Sequence, residues 1–288
     1  MKIEKINFLE WWKLNKTDYD AICFDVDGTL CVGETSLPGA LELISLLQAE
    51  NTPFIALTND GVHSPETKAI RFHTAGFNIT KESVISCGNA INHVVEDEQL
   101  ENKKFFIMGE FGDPLYSDTC NIQTTKNLSE LLDCDGVIVG ELNYDWEPTI
   151  NSVINLFIIK PDAYLITPNP DSYWPIGDEF AIHVGAGGVS RFILSILTEY
   201  GIKVNHIYLG KPYKAIYDYT IKHLKDEYKN LNFNDNKRIL VVGDSLKSDI
   251  LGANNYGCSS VLLLSGITKE SHLHDSMEIK PDYIFKQI

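Results

Sequence analysis

The sequence predicts an α/β fold built on a parallel β-sheet. Short apolar runs typical of buried strands alternate with segments whose apolar residues recur at helical spacing. Since parallel strands need a helical crossover, this alternation is typical of a sheet covered by helices on both faces. Four strand-like runs also end in polar residues, and the carboxyl ends of parallel strands lie along one edge of a sheet. These polar residues are expected to converge there: Asp25 and Asp27, Thr58 and Asn59, Lys211, and Asp244 with Asp249.

The first part of the chain is predicted to contain three helices and two strands. Apolar residues at helical spacing define the helices, and unbroken apolar runs define the strands. Gly76 is expected to end the third helix, at a position that favours a left-handed residue. The first helix carries the pair Trp11-Trp12, whose rings are expected to pack on the domain rather than to form an interface. In chain order these elements are a helix over 3–14, a strand at 21–24, a helix after Pro38-Gly39, a strand at 54–57 and a helix over 65–74.

The middle of the chain, residues 83–185, repeats the alternation with its own turn signals. The pattern is compatible with a continuation of the same sheet or with an inserted domain. The glycines of the segment 185–188 fail the dinucleotide-binding pattern at Ser190 and are interpreted as a hinge, because glycine absorbs the dihedral changes of closure. The strands predicted in and after this region are 105–108, 136–139, 164–167, 206–209, 239–242 and 260–264, with helices over 189–200 and after Pro212.

Composition narrows the classes of function. The 288 residues carry a net charge of −16, which argues against a nucleic-acid partner because such proteins need a Lys/Arg-rich face. No apolar run is long enough to span a bilayer, and the N-terminal residues have no apolar core typical of a secretory signal. We therefore expect no membrane association and a cytoplasmic location. The six cysteines have no zinc-site spacing and are expected to be reduced thiols.

The polar residues at the strand ends suit metal-assisted phosphoryl transfer. They include a carboxylate that could act as a nucleophile, a second carboxylate, a hydroxyl, a lysine and further acids. Asp-x-Asp-Gly also occurs in calcium-binding EF-hand loops, but here Gly28 is fourth rather than sixth and Ser36 stands twelfth instead of a glutamate. Taken singly, the Asp pair fits a turn, Lys211 a surface lysine and Asp249 a helix cap.

In order and spacing these residues resemble the four motifs of the haloacid dehalogenase (HAD) superfamily, over nearly the whole chain. The long insertion after the second motif also resembles the NagD-like and 4-nitrophenylphosphatase-like subclass, IIA. This resemblance implies a Rossmann-like core, residues 1–82 and 186–288, with an inserted α/β cap of the C2 type, residues 83–185. The residues that carry it are Asp25-Val26-Asp27-Gly28-Thr29, Thr58-Asn59, Gly210-Lys211-Pro212, Gly243-Asp244-Ser245 through Asp249, and Asn169-Pro170-Asp171.

The resemblance also implies catalytic and metal-binding roles. Asp25 would be the nucleophile, and Asp27 would protonate the leaving oxygen and then deprotonate water. Mg²⁺ would be held by Asp25, the backbone carbonyl of Asp27 and Asp244, with Asp249 binding directly or through water.

Further residues would bind the substrate. Thr58 and the Asn59 backbone would hydrogen-bond the phosphoryl oxygens, while Lys211 offsets their charge. Asn169 and Asp171 either face the substrate or shape a turn. Asp60, where many relatives carry Asn or Ser, lies on a substrate-facing loop in this interpretation.

The expected function is therefore that of a Mg²⁺-dependent phosphatase. It would hydrolyse a small phosphorylated metabolite through an aspartyl-phosphate on Asp25, and a homo-oligomer is compatible with the sequence. A phosphotransferase or phosphomutase on the same fold is one alternative. A binding or regulatory protein that retains the site without turnover is another.

Overall fold

Two parallel sheets, each with its own hydrophobic core, form two structural units. The computed structural model describes residues 2–175, 181–229, 231, 233–274 and 276–288. The first unit comprises Met1–Thr58, Pro65–Ile85 and Lys211–Ile288, and the second comprises Asn59–Ser64 and Ser86–Gly210. The chain therefore passes between the units four times.

The helices and strands are numbered in chain order. Up to residue 86 they are α1 (Phe8–Asn15), β1 (Ala21–Phe24), β2 (Cys31–Val32), β3 (Thr35–Ser36), α2 (Ala40–Ala49), β4 (Phe54–Thr58), α3 (Pro65–Thr74) and β5 (Val84–Ser86). From residue 91 to 208 they are α4 (Ile91–Asp97), β6 (Lys104–Met108), β7 (Gln123–Thr125), β8 (Gly136–Val139), α5 (Trp146–Ile159), β9 (Tyr164–Thr167), β10 (Tyr173–Pro175), β11 (Ile182–Val184), α6 (Ala186–Glu199) and β12 (Asn205–Tyr208). The remainder are α7 (Lys214–Glu227), β13 (Ile239–Gly243), α8 (Leu251–Tyr256), β14 (Ser259–Leu263) and β15 (Tyr283–Phe285).

The sheet of the first unit has the strand order β15-β14-β13-β1-β4-β5. The central strand β1 pairs in parallel with β13 and β4, so that Phe24 lies opposite Val242 and Ala56. Every residue of β1, β4, β13 and β14 is buried, as expected for strands covered on both faces. Because the three central strands are parallel, the residues at their carboxyl ends share one edge of the sheet.

Helix α1 packs its aromatic residues into the core of the first unit. Its N-terminus is capped by Asn7, whose side chain accepts a hydrogen bond from the Glu10 amide at 2.8 Å. Trp12 is fully buried, and the Trp11 ring lies 4.6 Å from the ring of Tyr283 beside it. The prediction that Trp11 and Trp12 pack on the domain is confirmed.

The sheet of the second unit is parallel throughout, with the order β12-β9-β8-β6-β7. Residues 186–210 were predicted to belong to the core, but the structure places them here. Ile193 and Leu197 of α6 join the same hydrophobic core as Val153 of α5, and β12 extends the sheet beside β9. The predicted boundary after residue 185 is therefore displaced to 210/211, and the predicted boundary at 82/83 lies at 85/86.

The glycines of 185–188 lie inside the second unit, so their interpretation as a hinge is wrong. A Cβ atom on Gly187 would lie 2.0 Å from the carbonyl oxygen of Pro170, and one on Gly185 would lie 2.4 Å from that of Asp171. These glycines allow the start of α6 to approach the loop after β9 closely.

Among the residues described, no helix combines the length and the apolar character needed to cross a lipid bilayer.

Candidate active site

Lys211 links the ends of two strands to the turn after a third. Its Nζ donates to Asp25 Oδ1, to Asp249 Oδ1 and to the carbonyl oxygen of Leu57, each at 2.7 Å. The residue is 1% exposed, so it is not the surface lysine that its type alone would suggest. Burial opposes its charge, but the carboxylates of Asp249 and Asp25 outweigh that effect and raise the pKa of Lys211 above its ordinary value.

Three acids of this unit form a cluster that could hold a metal ion. Asp25, Asp244 and Asp249 each offer a carboxylate oxygen, and these oxygens lie within 4.8 Å of one another. Burial raises the pKa of Asp25 well above its usual range, and Asp249 and Asp244 raise it further, although Lys211 opposes them. Burial and the Asp249 charge likewise raise the pKa of Asp244 to about 7.

This donor set fits Mg²⁺. The three carboxylates outnumber the single ammonium group of Lys211, so a divalent cation would neutralise the excess negative charge. Magnesium prefers oxygen ligands and is usually bound through one or two carboxylates. Asp25 and Asp244 would hold it, with Asp249 directly or through water.

Two glycines make room for the Asp244 carboxylate. A Cβ atom on Gly28, whose φ is +88°, would lie 2.5 Å from Asp244 Oδ2, and one on Gly266 would lie 1.8 Å from it. The Ile267 amide donates to the same oxygen at 2.5 Å, and the Thr268 amide donates to the Asp244 carbonyl at 3.2 Å. The sequence interpretation missed Gly266 and its loop, although they come directly after β14 at the same sheet edge.

Asp249 is fixed by a single π-helical turn, Leu246–Ile250. The amides of Asp249 and Ile250 both donate to the Ser245 carbonyl, at 3.0 and 3.2 Å, and the Ser245 amide donates to Asp249 Oδ2 at 3.0 Å. Ser245 is the residue that caps this turn, so Asp249 is not the cap of a helix beginning beside it. Such π-turns are frequent at functional sites.

Asp27 and Thr58 belong to the same unit as Asp25 and Lys211. Thr58 is the last residue of β4, is buried, and comes directly after the carbonyl that accepts from Lys211. Asp27 is exposed, two residues beyond Asp25, on a turn closed by a hydrogen bond from the Gly28 amide to the Cys31 carbonyl at 2.8 Å.

The remaining predicted residues come together in the second unit. Asn59 Nδ2 donates to Asp171 Oδ2 at 3.1 Å, and the Asp171 amide donates to Asn169 Oδ1 at 2.9 Å. Asn169 is buried, and its Nδ2 donates to Glu141 Oε1 at 2.7 Å. Asn169 therefore shapes the turn and also joins a buried network. Glu141 was missed, although it lies two residues after β8 and the strand-end argument could have found it.

Asp60 organises the loop after Asn59. Its Oδ1 accepts from the amides of Val62 and His63 at 2.9 and 3.2 Å, and its Oδ2 lies 2.8 Å from His63 Nδ1. An aspartate at this position thus closes a turn on itself, as Asp side chains commonly do.

Comparisons with known proteins agree with this architecture. A haloacid dehalogenase-like hydrolase model matches residues 22–123, and a HAD-hydrolase-like model matches residues 208–288. Together they cover more than half of the chain.

Curated relatives and solved structures extend the match. Ribonucleotide monophosphatase NagD of Escherichia coli K12 is 26% identical, over 93% of this chain and 96% of that protein. A cardiolipin synthase/mitochondrial hydrolase fusion protein of Schizosaccharomyces pombe is 27% identical over 85% of this chain, which spans only 49% of that protein's length. The crystal structure of a possible sugar phosphatase of the HAD superfamily from Cytophaga hutchinsonii is 25% identical and has a TM-score of 0.78, covering 100% of this chain and 98% of that one. The chain belongs to the haloacid dehalogenase-like hydrolases, and within them to subclass IIA, the NagD-like and 4-nitrophenylphosphatase-like phosphoric monoester hydrolases.

Proposed function

We propose that this protein is a Mg²⁺-dependent phosphatase that hydrolyses small phosphomonoesters through an aspartyl-phosphate on Asp25. The observation that carries the proposal is the environment of the Asp25 carboxylate. One of its oxygens is bound by Lys211 at 2.7 Å, and the acids Asp244 and Asp249 complete a cluster suited to a cation beside it. A carboxylate held in this way, near a divalent cation, is equipped to attack a phosphoryl group.

The first chemical step forms the covalent intermediate. A carboxylate oxygen of Asp25 attacks phosphorus, the phosphorus–oxygen bond of the ester breaks, and Asp27 gives its proton to the leaving alcohol oxygen. The exposed position of Asp27, two residues along the same turn, leaves it accessible to the leaving group.

The second step releases phosphate. A water molecule attacks the phosphorus of the aspartyl-phosphate and loses a proton to Asp27, and the bond between phosphorus and the Asp25 oxygen breaks. Inorganic phosphate leaves, Asp25 is again a carboxylate, and Asp27 is again protonated. The same side chain thus acts as acid and then as base.

Charge is the main obstacle, because an anionic phosphoryl group must approach an anionic nucleophile. Lys211 offsets the charge of Asp25 directly, and we assign Thr58 and the backbone amide of Asn59 to the phosphoryl oxygens. The divalent cation, when bound, supplies further positive charge for the phosphoryl oxygens and for the attacking carboxylate. A single lysine and a single cation therefore suffice locally in a protein whose net charge is −16.

Removal of divalent cations by a chelator is expected to abolish hydrolysis of 4-nitrophenyl phosphate, and added Mg²⁺ should restore it. A second measurement does not depend on activity. Without a cation, the folded-state pKa of Asp244 is about 7, above its ordinary 3.8, so folding stability is lost as pH rises across that interval. The rise in Tm on adding Mg²⁺ should therefore be larger at about pH 8 than at about pH 5. Equal activity with and without chelator would refute the metal requirement.

Replacing Gly266 by alanine is expected to raise the Mg²⁺ concentration for half-maximal activity at least about tenfold. The new Cβ would lie 1.8 Å from Asp244 Oδ2, so either the carboxylate or the loop must move. Gly257→Ala is the control. Its φ of +81° strains an alanine, but no atom lies within 4 Å of the new Cβ, so Tm should fall without any change in Mg²⁺ dependence. The same Mg²⁺ titration for G266A as for G257A would contradict the assignment of Asp244.

A further inference from the structure

Glu141 is a buried acid in the second unit that the mechanism above does not use. It lies in the short segment after β8, where its backbone pairs with that of Glu110, whose amide donates to the Glu141 carbonyl at 2.6 Å. The residue is 8% exposed. Its Oε1 accepts from Asn169 Nδ2 at 2.7 Å and from the Ala186 amide in the first turn of α6 at 3.4 Å. The carboxyl group therefore holds the loop after β9 against the start of α6.

A continuous chain of hydrogen bonds leads from Glu141 to Asn59. Asn169 uses its Nδ2 on Glu141 and its Oδ1 on the Asp171 amide, and Asp171 in turn accepts from Asn59 Nδ2 at 3.1 Å. The other side of the Asn59 amide is closely enclosed, because a Cβ atom on Gly210 would lie 2.4 Å from Asn59 Oδ1. The orientation of Asn59 is thus set from inside the second unit.

We propose that Glu141 is a positioning residue for the reaction, which acts through Asn169 and Asp171 to fix Asn59. The inference rests on the proposed function, in which the backbone amide of Asn59 binds the phosphoryl group. Asn59 Nδ2 is bonded to Asp171, so this side chain fixes the residue, and its backbone amide is the group that the proposed function assigns to the phosphoryl oxygens. If the hydrogen bond from the Asn59 side chain to Asp171 were displaced, the backbone amide of Asn59 would move with it.

The charge of Glu141 should matter as well as its presence. Burial raises its pKa to about 7, hydrogen bonds from Asn169 and the Ala186 amide oppose the rise, and Asp60 and Asp171 add to it. The Glu141 charge also acts on Tyr144, since burial and that charge raise the pKa of Tyr144 to about 12. Glu141 therefore ionises near neutrality. The ionised form of Glu141 accepts stronger hydrogen bonds than the protonated form. The hydrogen bonds from Asn169 and from the Ala186 amide should therefore strengthen as pH rises.

A second set of contacts holds the loop after β9. Removing them provides a control in which the loop is loosened but the charge of Glu141 is unchanged. Arg191 of α6 donates to the Pro170 carbonyl at 2.8 Å and to Ser172 Oγ at 2.5 Å. These contacts hold the same loop without involving Glu141. Arg191→Ala should loosen the loop to a similar degree at every pH.

The test compares Glu141→Gln with Glu110→Gln, using 4-nitrophenyl phosphate. The glutamine introduced by E141Q can still accept from Asn169 but carries no charge, so it reproduces the protonated state at every pH. We expect E141Q to raise KM, and the Kd for inorganic phosphate, about tenfold above pH 7, and progressively less as pH falls toward about 5. E110Q changes a carboxylate that is bonded to Lys126 and Asn143 instead, and should behave as the wild type does. R191A should shift KM by the same factor across the pH range.

A result that refutes the role of Glu141 can be told apart from a result that refutes the phosphatase function itself. If the wild type hydrolyses the ester and E141Q matches E110Q at every pH, the role of Glu141 is refuted. If the wild type is inactive, or if E141Q does not fold, hydrogen–deuterium exchange of the wild-type segment 168–172 decides. After correction for intrinsic rates, the Asp171 amide should be better protected above pH 7 than below pH 6. Equal protection would overturn the inference.

Discussion

Replacing Asp25 by asparagine is expected to lower kcat for 4-nitrophenyl phosphate by at least about a thousandfold while the fold persists. The amide has the size of the carboxylate but no nucleophilic oxygen. The variant loses one of the ion pairs of Lys211, but it also removes the repulsion between Asp25 and the acids Asp244 and Asp249. These effects oppose each other, so Tm should change little. Turnover measured with saturating Mg²⁺, together with a thermal melt, tests both expectations.

Asp20→Asn provides the matched control, because Asp20 precedes the same strand, β1, at its opposite end. Its carboxylate is bound by the Arg238 guanidinium at 2.7 and 2.8 Å, far from the candidate nucleophile along the strand. D20N should lower Tm slightly and leave kcat unchanged. If D25N retained most of the turnover, Asp25 would not be the nucleophile. Borohydride reduction of the acid-quenched wild type should convert a phosphorylated aspartate at position 25 to homoserine, and D25N should show no such product.

The site of the first unit could be predicted because local pattern and topology agree there. The runs before Asp25, Thr58 and Asp244 are short, unbroken and apolar, and their length of four or five residues favours buried strands over helices. Parallel strands then bring the residues at their carboxyl ends to one edge of the sheet, whatever the order of the strands. Lys211 needed one further piece of information, the order of the motifs, because the residue alone does not distinguish a surface lysine from a buried one.

The boundary between the units at 210/211 could not be predicted, because amphipathicity indicates that a helix packs but not which surface it packs on. The pattern of α6 is compatible with either sheet, and only the contacts of Ile193 and Leu197 assign it to the second unit. The hydrogen-bond network of Glu141 could not be predicted from the sequence for a related reason. The hydrogen bond from Asn59 to Asp171 joins residues 112 positions apart, and no spacing rule indicates such a pair.

Replacing Lys211 by methionine is expected to lower kcat at least about a hundredfold and to destabilise the metal-free protein by about 3–5 kcal/mol. Methionine has a similar length but no charge, so the buried carboxylates of Asp25 and Asp249 would face each other without a counter-ion. Lys211 opposes the raised pKa of Asp25, so without it the pKa of Asp25 would rise further above its value in the unfolded chain. Groups with a raised folded-state pKa lose stability as pH increases, so the Tm difference from the wild type should widen as pH rises above the wild-type pKa of Asp25.

Lys214→Met, on an exposed lysine three residues further along, controls for the loss of one positive charge. The Lys214 side chain is 76% exposed, and the surface ion pair that it makes with Asp218 should contribute little. Added Mg²⁺ should raise the Tm of K211M more than that of K214M, because a divalent cation can neutralise acids that the lysine no longer balances. It should not restore kcat, since the ammonium contact to Asp25 is still missing. A K211M protein whose Tm is independent of pH and of Mg²⁺ would show that these acids are not coupled through Lys211, and the shared site of nucleophile, lysine and cation would have to be abandoned.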